Sequence, residues 1–192
     1  MDKILFLNAC IRPASRTYEL AKALLARLGG EVSEVRLEDA PPMLNLQRLE
    51  QRSRAAEEND FSDGVFDAAR EFALADVIVV AAPYWDLMFP AVLKAYLESI
   101  TVCGITFCYS PEGRPKSLCR VRKLYYVTTA GGFIGENDFG FSYVRALARN
   151  FFGIGEIFRY SAEGLDIFGA DAEGIMSKAK AEITKDFPLL EP

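Results

Sequence analysis

The sequence predicts an α/β fold in which helices cover both faces of a five-stranded parallel sheet. Five short strand-like segments alternate along the chain with segments whose apolar residues recur at helical spacing. Helices between successive strands are typical of right-handed crossover connections, which make the strands parallel. The length of 192 residues suits a single domain over 1–192.

The first three predicted strands differ in their expected burial. Residues 3–8 form a nearly continuous apolar run, and residues 77–82 are short, β-branched and uncharged, as in strands covered on both faces. Residues 31–37 alternate polar with apolar side chains, which is typical of an edge strand. Pro41-Pro42 then breaks the chain.

Three apolar stripes at helical spacing predict three helices between and after these strands. Gly29-Gly30 ends the first of these helices, and Pro90 suits the first turn of the third. The highly charged residues 47–59 fit either a solvated helix or a mobile loop. The stripes consist of Leu20, Ala21, Leu24, Leu25 and Leu28, then Val65, Phe66, Ala69, Phe72 and Ala73, then Val92, Leu93, Tyr96, Leu97 and Ile100.

Two more strands, at residues 123–128 and 156–161, complete the sheet. The helix between them is expected to end at Gly153, and Asp171 can cap a last helix. Five parallel strands suit the flavodoxin-like order 2-1-3-4-5, in which ligands bind outside the carboxyl ends of the strands beside strand 1. The loops after strands 1, 3 and 4 are therefore expected to hold a ligand.

Composition excludes several classes of function. The 22 basic and 27 acidic residues give a net charge of −5, which argues against a nucleic-acid or acidic-membrane binder. The chain has no histidine, so Ser-His-Asp and Cys-His catalysis and histidine metal ligation are excluded. With no apolar stretch of transmembrane length and no signal-peptide pattern, we expect a soluble cytoplasmic protein.

The four cysteines and one basic cluster are further candidates for chemistry. The spacing of the four cysteines matches no zinc or iron–sulfur site, so we expect no metal centre and free thiols, with Cys10 and Cys103 buried. A basic cluster either attracts nicotinamide phosphates or is a solvated loop, and the second interpretation is favoured. This cluster is Arg114, Lys116, Arg120, Arg122 and Lys123.

The loop after strand 1 offers hydroxyls and cations at a helix start. Ser15 and Thr17 carry hydroxyls, and Arg12 and Arg16 carry guanidiniums. Unpaired N–H groups and the helix dipole favour an anion there. Plain N-capping by Ser15 or Thr17 explains the same residues equally well.

The other two loops suit a flat ring. After strand 3, Tyr84 and Trp85 stand between two prolines, either as a wall for a heteroaromatic ligand or as a lid on the core. After strand 4, Thr129 precedes the small residues Ala130, Gly131 and Gly132. Small residues let a ligand approach the backbone closely, although a flexible turn has the same composition.

The chain resembles the flavodoxin-like NAD(P)H:quinone oxidoreductases and FMN-dependent azoreductases from Lys3 to about Ala179. The similarity lies in five ordered segments. These are the strand-1 loop ending at Ser15–Thr17, Pro83–Leu87 with the following helix, an insertion at about 104–115, Thr128–Gly132, and Ala162–Leu165 closed by Gly169.

This resemblance implies bound FMN, NADH or NADPH as donor, and a homodimer. Arg12, Ser15 and Thr17 would hold the phosphate. The edge and face of the isoalloxazine ring would contact Pro83, Tyr84, Trp85, Asp86 and Leu87. Its pyrimidine side would lie along Thr129, Ala130, Gly131 and Gly132. Phe107 and Tyr109 would approach the partner subunit's flavin or substrate. Two positions depart from the family, since Asp86 replaces an Asn and Cys10 replaces the first hydroxyl of the phosphate loop.

The resemblance implies an oxidoreductase in which FMN carries the chemistry and no side chain is assigned as catalytic. Hydride would pass through flavin N5 to a quinone-like, azo or other small electron acceptor in a ping-pong cycle. Gly131 and Gly132 N–H groups would stabilise charge on the reduced ring, and water or Tyr109 would supply a proton. Two alternatives stay open: a flavin-binding electron carrier or redox sensor that does not oxidise nicotinamide, and a scaffold that has lost its flavin.

Overall fold

The computed structural model describes residues 1–39 and 43–187, so Pro41-Pro42 lies outside the described residues. The strands are β1 (Lys3–Asn8), β2 (Glu31–Arg36), β3 (Val77–Ala81), β4 (Phe107–Tyr109), β5 (Pro115–Ser117), β6 (Lys123–Thr129) and β7 (Glu156–Ala162). The helices are α1 (Arg16–Leu28), α2 (Leu46–Glu57), α3 (Asp67–Leu74), α4 (Ala91–Ile100), α5 (Phe139–Asn150) and α6 (Ala172–Asp186).

Five strands form one parallel sheet in the order β2-β1-β3-β6-β7. Counting only the strands of this sheet, the order is the predicted 2-1-3-4-5. Alternate residues of β1 and β3 enter two separate cores, because successive side chains of a strand point to opposite faces. The face with Phe6 and Val79 is covered by α1 and α6, and the face with Leu7 and Val80 by the other helices. The predicted doubly wound α/β architecture is confirmed.

Three of the helices can be compared with the sequence prediction in detail. Of the two interpretations of residues 47–59, the solvated helix is the observed one, since α2 buries only Ala55. A short 3₁₀ turn at Gly64–Phe66 precedes α3, so the stripe predicted as one helix is divided. Asp171 caps α6 as expected, accepting a hydrogen bond from the Gly174 N–H at 2.9 Å.

The predicted insertion contains an antiparallel hairpin of β4 and β5. Phe107 packs edge-on against Phe151 with ring centroids 4.9 Å apart, and the Ser117 hydroxyl donates to the Phe152 carbonyl at 2.7 Å. Through these contacts the hairpin packs against the residues that follow the C-terminus of α5. Cys103 lies just before it and is exposed, so its expected burial was wrong, because Cys103 and Gly104 lie at the surface in a short turn between the buried residues Val102 and Thr106.

Part of the basic cluster lies at the amino ends of the strands. Arg122 pairs with Asp2 at 2.9 Å, and Lys123 pairs with Glu156 at 3.4 Å. This end of the sheet is opposite the predicted ligand end, which favours the solvated interpretation for these cations.

Within the two described ranges, no helix has both the length and the apolar character needed to cross a bilayer.

Candidate functional site

The three predicted loops meet in one cleft of about 250 Å³ at the carboxyl ends of β1, β3 and β6. A larger groove of about 470 Å³ lies between α2, α4 and α5, away from these strand ends. The cleft is lined by Arg12, Ala14, Ser15, Arg16, Thr17, Pro83, Tyr84, Trp85, Thr129, Ala130, Gly131 and Asp166. The predicted site residues Asp86, Leu87, Gly132, Phe107 and Tyr109 do not line it.

The N-terminus of α1 combines a capped helix with free donors. Ser15 is the N-cap, and its hydroxyl oxygen accepts from the Tyr18 N–H at 3.3 Å. Within residues 1–39 and 43–187, the N–H groups of Arg16 and Thr17 have no hydrogen-bond acceptor. Capping uses only the oxygen of Ser15, so its O–H can still donate. The two interpretations of this loop are therefore compatible.

An ion pair between Arg16 and Asp166 forms part of the cleft lining. Arg16 Nη2 lies 2.7 Å from Asp166 Oδ1, and Arg16 Nη1 donates to the Leu165 carbonyl at 3.4 Å. Arg16 was visible in the sequence as a cation of the strand-1 loop. Asp166 was missed, because nothing local marks a carboxylate four residues beyond the last strand as a partner of α1.

Two buried threonines join the first loop to the third. Thr17 Oγ1 lies 2.6 Å from Thr129 Oγ1, and both side chains are buried. One hydroxyl donates to the other, which leaves one O–H that is not consumed by the pair. Thr17 and Thr129 were predicted for opposite ends of a ligand, and the structure brings their hydroxyls together.

The loop after β3 contains a tight turn at 85–88. Trp85 and Met88 exchange backbone hydrogen bonds of 2.9 and 2.8 Å, with Asp86 and Leu87 at the tip. Both tip residues have positive φ, 49° for Asp86 and 67° for Leu87. This matches the two-residue turn that normally prefers Asn-Gly or Asp-Gly, so leucine is out of place at the second position.

We expect Leu87→Gly to raise the free energy of unfolding by about 0.5–1 kcal/mol. Removing the side chain relieves about 1–2 kcal/mol of left-handed strain, and the flexibility of glycine in the unfolded chain offsets part of it. Urea unfolding measures the change. Leu49→Gly is the matched control, since Leu49 is equally exposed but helical and should lose about 1 kcal/mol. A loss of stability at both positions would contradict the strain argument.

The loop after β6 pairs three of its backbone carbonyls with residues 164–166 but leaves two of its own N–H groups without an acceptor in the described residues. The carbonyls of Ala130, Gly131 and Gly132 accept from the N–H groups of Leu165, Asp166 and Gly164 at 3.2, 2.9 and 2.9 Å. Within the described parts of the chain, the N–H groups of Gly131 and Gly132 donate to no acceptor. Since Gly131 lines the cleft, its free N–H is available to a ligand there.

The continuation of this loop is anchored by side chains. Glu163 accepts from the Ile134 N–H at 3.0 Å and pairs with Arg159 at 3.0 Å, and the Tyr84 hydroxyl donates to the Asn137 carbonyl at 3.0 Å. Burial alone would raise the pKa of Glu163, but the hydrogen bonds from the Ile134 N–H and from Arg159 outweigh burial, so the pKa is lowered. The carboxylate therefore stays ionised, and the loop that carries Gly131 is held on both sides.

Comparison with known proteins decides the family. Residues 2–187 match the family model Flavodoxin_2, described as having a flavodoxin-like fold. This chain belongs to the Flavodoxin_2 family. The resemblance drawn from the sequence is confirmed.

Relatives of this Flavodoxin_2 chain have consistent names. A protein of Lachnoclostridium phytofermentans, named FMN-dependent NADH:quinone oxidoreductase, is 32% identical, and the match covers 97% of this chain and all of the relative. An azoreductase structure from Bacillus anthracis has a TM-score of 0.84 at 26% identity, covering 99% of this chain and 100% of the other. A second azoreductase from Bacillus anthracis, solved with FMN, has a TM-score of 0.80 over 97% of each chain. At 21% identity, it supports the fold alone.

Cys10 of this Flavodoxin_2 chain follows β1 and is not among the residues that line the cleft. Its side chain is buried, and its sulfur lies 3.7 Å from the Ala81 carbonyl. Burial raises the pKa of the Cys10 thiol to about 11, so the thiol is protonated at neutral pH and is a poor nucleophile. The expectation that Cys10 is a buried, free thiol is confirmed.

The two predicted substrate residues lie on the β4–β5 hairpin. Phe107 is buried against Phe151 and Tyr109 within its own chain, whereas Tyr109 is 57% exposed. Of the two, Tyr109 is the one whose side chain is available to a second molecule.

Proposed function

We propose that this chain binds FMN in the cleft and reduces quinone-like, azo or other small electron acceptors with NADH or NADPH in a ping-pong cycle. The assignment to the FMN-dependent oxidoreductases rests on the family and on the names of its relatives. The observation that carries the proposal is the convergence of an anion-binding helix start, an aromatic wall and a free glycine N–H in one cleft.

The chemistry of the lining fits FMN. The free N–H groups of Arg16 and Thr17, the Ser15 hydroxyl and the guanidiniums of Arg12 and Arg16 suit a phosphate dianion. Tyr84 and Trp85 offer apolar surface to a flat ring. The two departures from the family pattern lie outside this lining, because Cys10 is buried and Asp86 lies at the exposed tip of the turn, and neither is among the residues that line the cleft.

Bound FMN would supply the hydride chemistry between the nicotinamide and the acceptor. The chain's own part is to hold and polarise that group. The N–H of Gly131, which has no acceptor in the described residues, would stabilise negative charge on the reduced cofactor, because a donor already held in place needs no reorganisation. A single site that nicotinamide and acceptor occupy in turn gives ping-pong kinetics.

A homodimer completes the proposed site. The exposed Tyr109 ring would reach the partner's cleft from the hairpin and would, with water, be a proton source for the acceptor. Size-exclusion chromatography with light scattering tests this part, since a monomer that keeps full activity would remove any role for Tyr109 across an interface.

The test of function is the visible spectrum of protein loaded with FMN, desalted and mixed anaerobically with NADH or NADPH. We expect a retained flavin band that bleaches on addition of the nicotinamide and returns on addition of a quinone. Retained flavin that no nicotinamide bleaches would favour the carrier or sensor alternative. A protein that retains no flavin at micromolar concentration would contradict the proposal and favour the scaffold alternative.

A further inference from the structure

Asp166 is an unexpected group beside a helix start that is proposed to bind a phosphate. Among the side chains that line the cleft, it is the one carboxylate, and Arg12 and Arg16 are the cations. A carboxylate there repels a phosphate dianion and also occupies the guanidinium that a phosphate would use.

The position of Asp166 is set by the backbone around it. Its N–H donates to the Gly131 carbonyl at 2.9 Å, and the neighbouring Leu165 N–H donates to the Ala130 carbonyl at 3.2 Å. A Cβ added at Gly131 would lie 2.5 Å from Asp166 Oδ2, so the carboxylate is seated directly against the glycine turn. Asp166 therefore presents its charge from an ordered segment.

Arg16 is held by the same segment. Its guanidinium contacts Asp166 Oδ1 at 2.7 Å and the Leu165 carbonyl at 3.4 Å. Arg12, by contrast, has no ion-pair partner within residues 1–39 and 43–187. One of the two cleft guanidiniums is thus free and the other is already paired. A phosphate that reaches Arg16 must share it with Asp166 or displace Asp166.

We propose that Asp166 limits the affinity of the cleft for phosphorylated ligands by competing for Arg16, and thereby sets how strongly FMN is preferred over riboflavin. The inference rests on the proposed function. Riboflavin has the same ring without the phosphate, so competition for Arg16 changes the binding of FMN alone. The ion pair is partly exposed, with side-chain exposures of 38% and 64%, so the effect is moderate.

The experiment measures the dissociation constants of FMN and riboflavin for flavin-free protein by fluorescence titration, in the wild type and in Asp166→Asn. Asparagine keeps the size of the side chain and removes its charge. We expect about three- to fivefold tighter FMN binding and unchanged riboflavin binding, with the gain shrinking in high salt because exposed charges are screened.

Glu156→Gln is the matched control. Glu156 is a partly exposed carboxylate that pairs with Lys123 at the amino ends of β6 and β7, so its loss changes the net charge equally at the end of the sheet opposite the cleft. It should leave both dissociation constants unchanged. A gain equal to that of Asp166→Asn would show a general charge effect and would overturn the proposal.

The remaining outcomes are also decisive. Unchanged or weaker FMN binding in Asp166→Asn, with riboflavin unaffected, would overturn the proposal, and weaker binding would show that Asp166 positions Arg16 for the phosphate. Weaker binding of both flavins would overturn it by showing that Asp166 contacts the ring. Wild-type protein that binds neither flavin would contradict the proposed function itself, which separates that failure from a failure of this inference.

Discussion

Gly131→Pro is expected to slow the reduction of bound FMN by NADH about 100-fold. Gly131 lines the cleft, and proline removes its N–H group, which has no acceptor within residues 1–39 and 43–187. Proline keeps the carbonyl at this position, which accepts a hydrogen bond from the Asp166 N–H. The loss of one preorganised donor to a developing negative charge costs about 3 kcal/mol in other oxyanion sites. Anaerobic stopped-flow absorbance at saturating FMN measures the rate.

Gly131→Ala is the control for this result. Alanine also adds a Cβ that displaces Asp166, but it keeps the N–H group. We expect Gly131→Ala to stay within about threefold of the wild-type rate, since the donor that matters is retained. Equal rates in the two variants would contradict the assigned role of the N–H, and thermal unfolding of both variants checks that the fold survives.

Thr17→Val and Thr129→Val are each expected to lower the free energy of unfolding by about 1–3 kcal/mol. Each change leaves the other hydroxyl of the 2.6 Å pair buried without its partner. The double variant should lose less than the sum of the two single losses, by about 1 kcal/mol, because the second change removes the unsatisfied group. Urea unfolding of the four proteins gives the coupling.

Thr128→Val provides the control for this cycle. Thr128 is adjacent on β6 and equally buried, but its hydroxyl has no hydrogen-bond partner in the described residues. Replacing an unpartnered buried hydroxyl with a methyl group should leave stability unchanged or raise it. Strict additivity of Thr17→Val and Thr129→Val, or a large loss at Thr128, would show that the hydroxyl pair is not what stabilises this part of the cleft.

The main elements and the location of the cleft followed from local sequence signals. Buried runs such as residues 77–82 and turns such as Gly29-Gly30 depend on residues close together in the chain. The strand order then followed from the number of parallel strands, and it placed three loops at one end of the sheet. Exposure of Cys103 was missed because an apolar neighbourhood in sequence does not say where the chain leaves the core.

The sequence by itself determined the sheet, its two helical layers and most of the cleft lining, because periodicity and turn chemistry are local properties. Only the tertiary structure decided which polar groups meet. Thr17 and Thr129 are 112 residues apart, and Arg16 and Asp166 are 150 residues apart. Such pairs depend on strand register and on the path of several crossovers, where a shift of one residue changes every partner. The hydroxyl pair and the carboxylate beside Arg16 therefore became visible only in the folded chain.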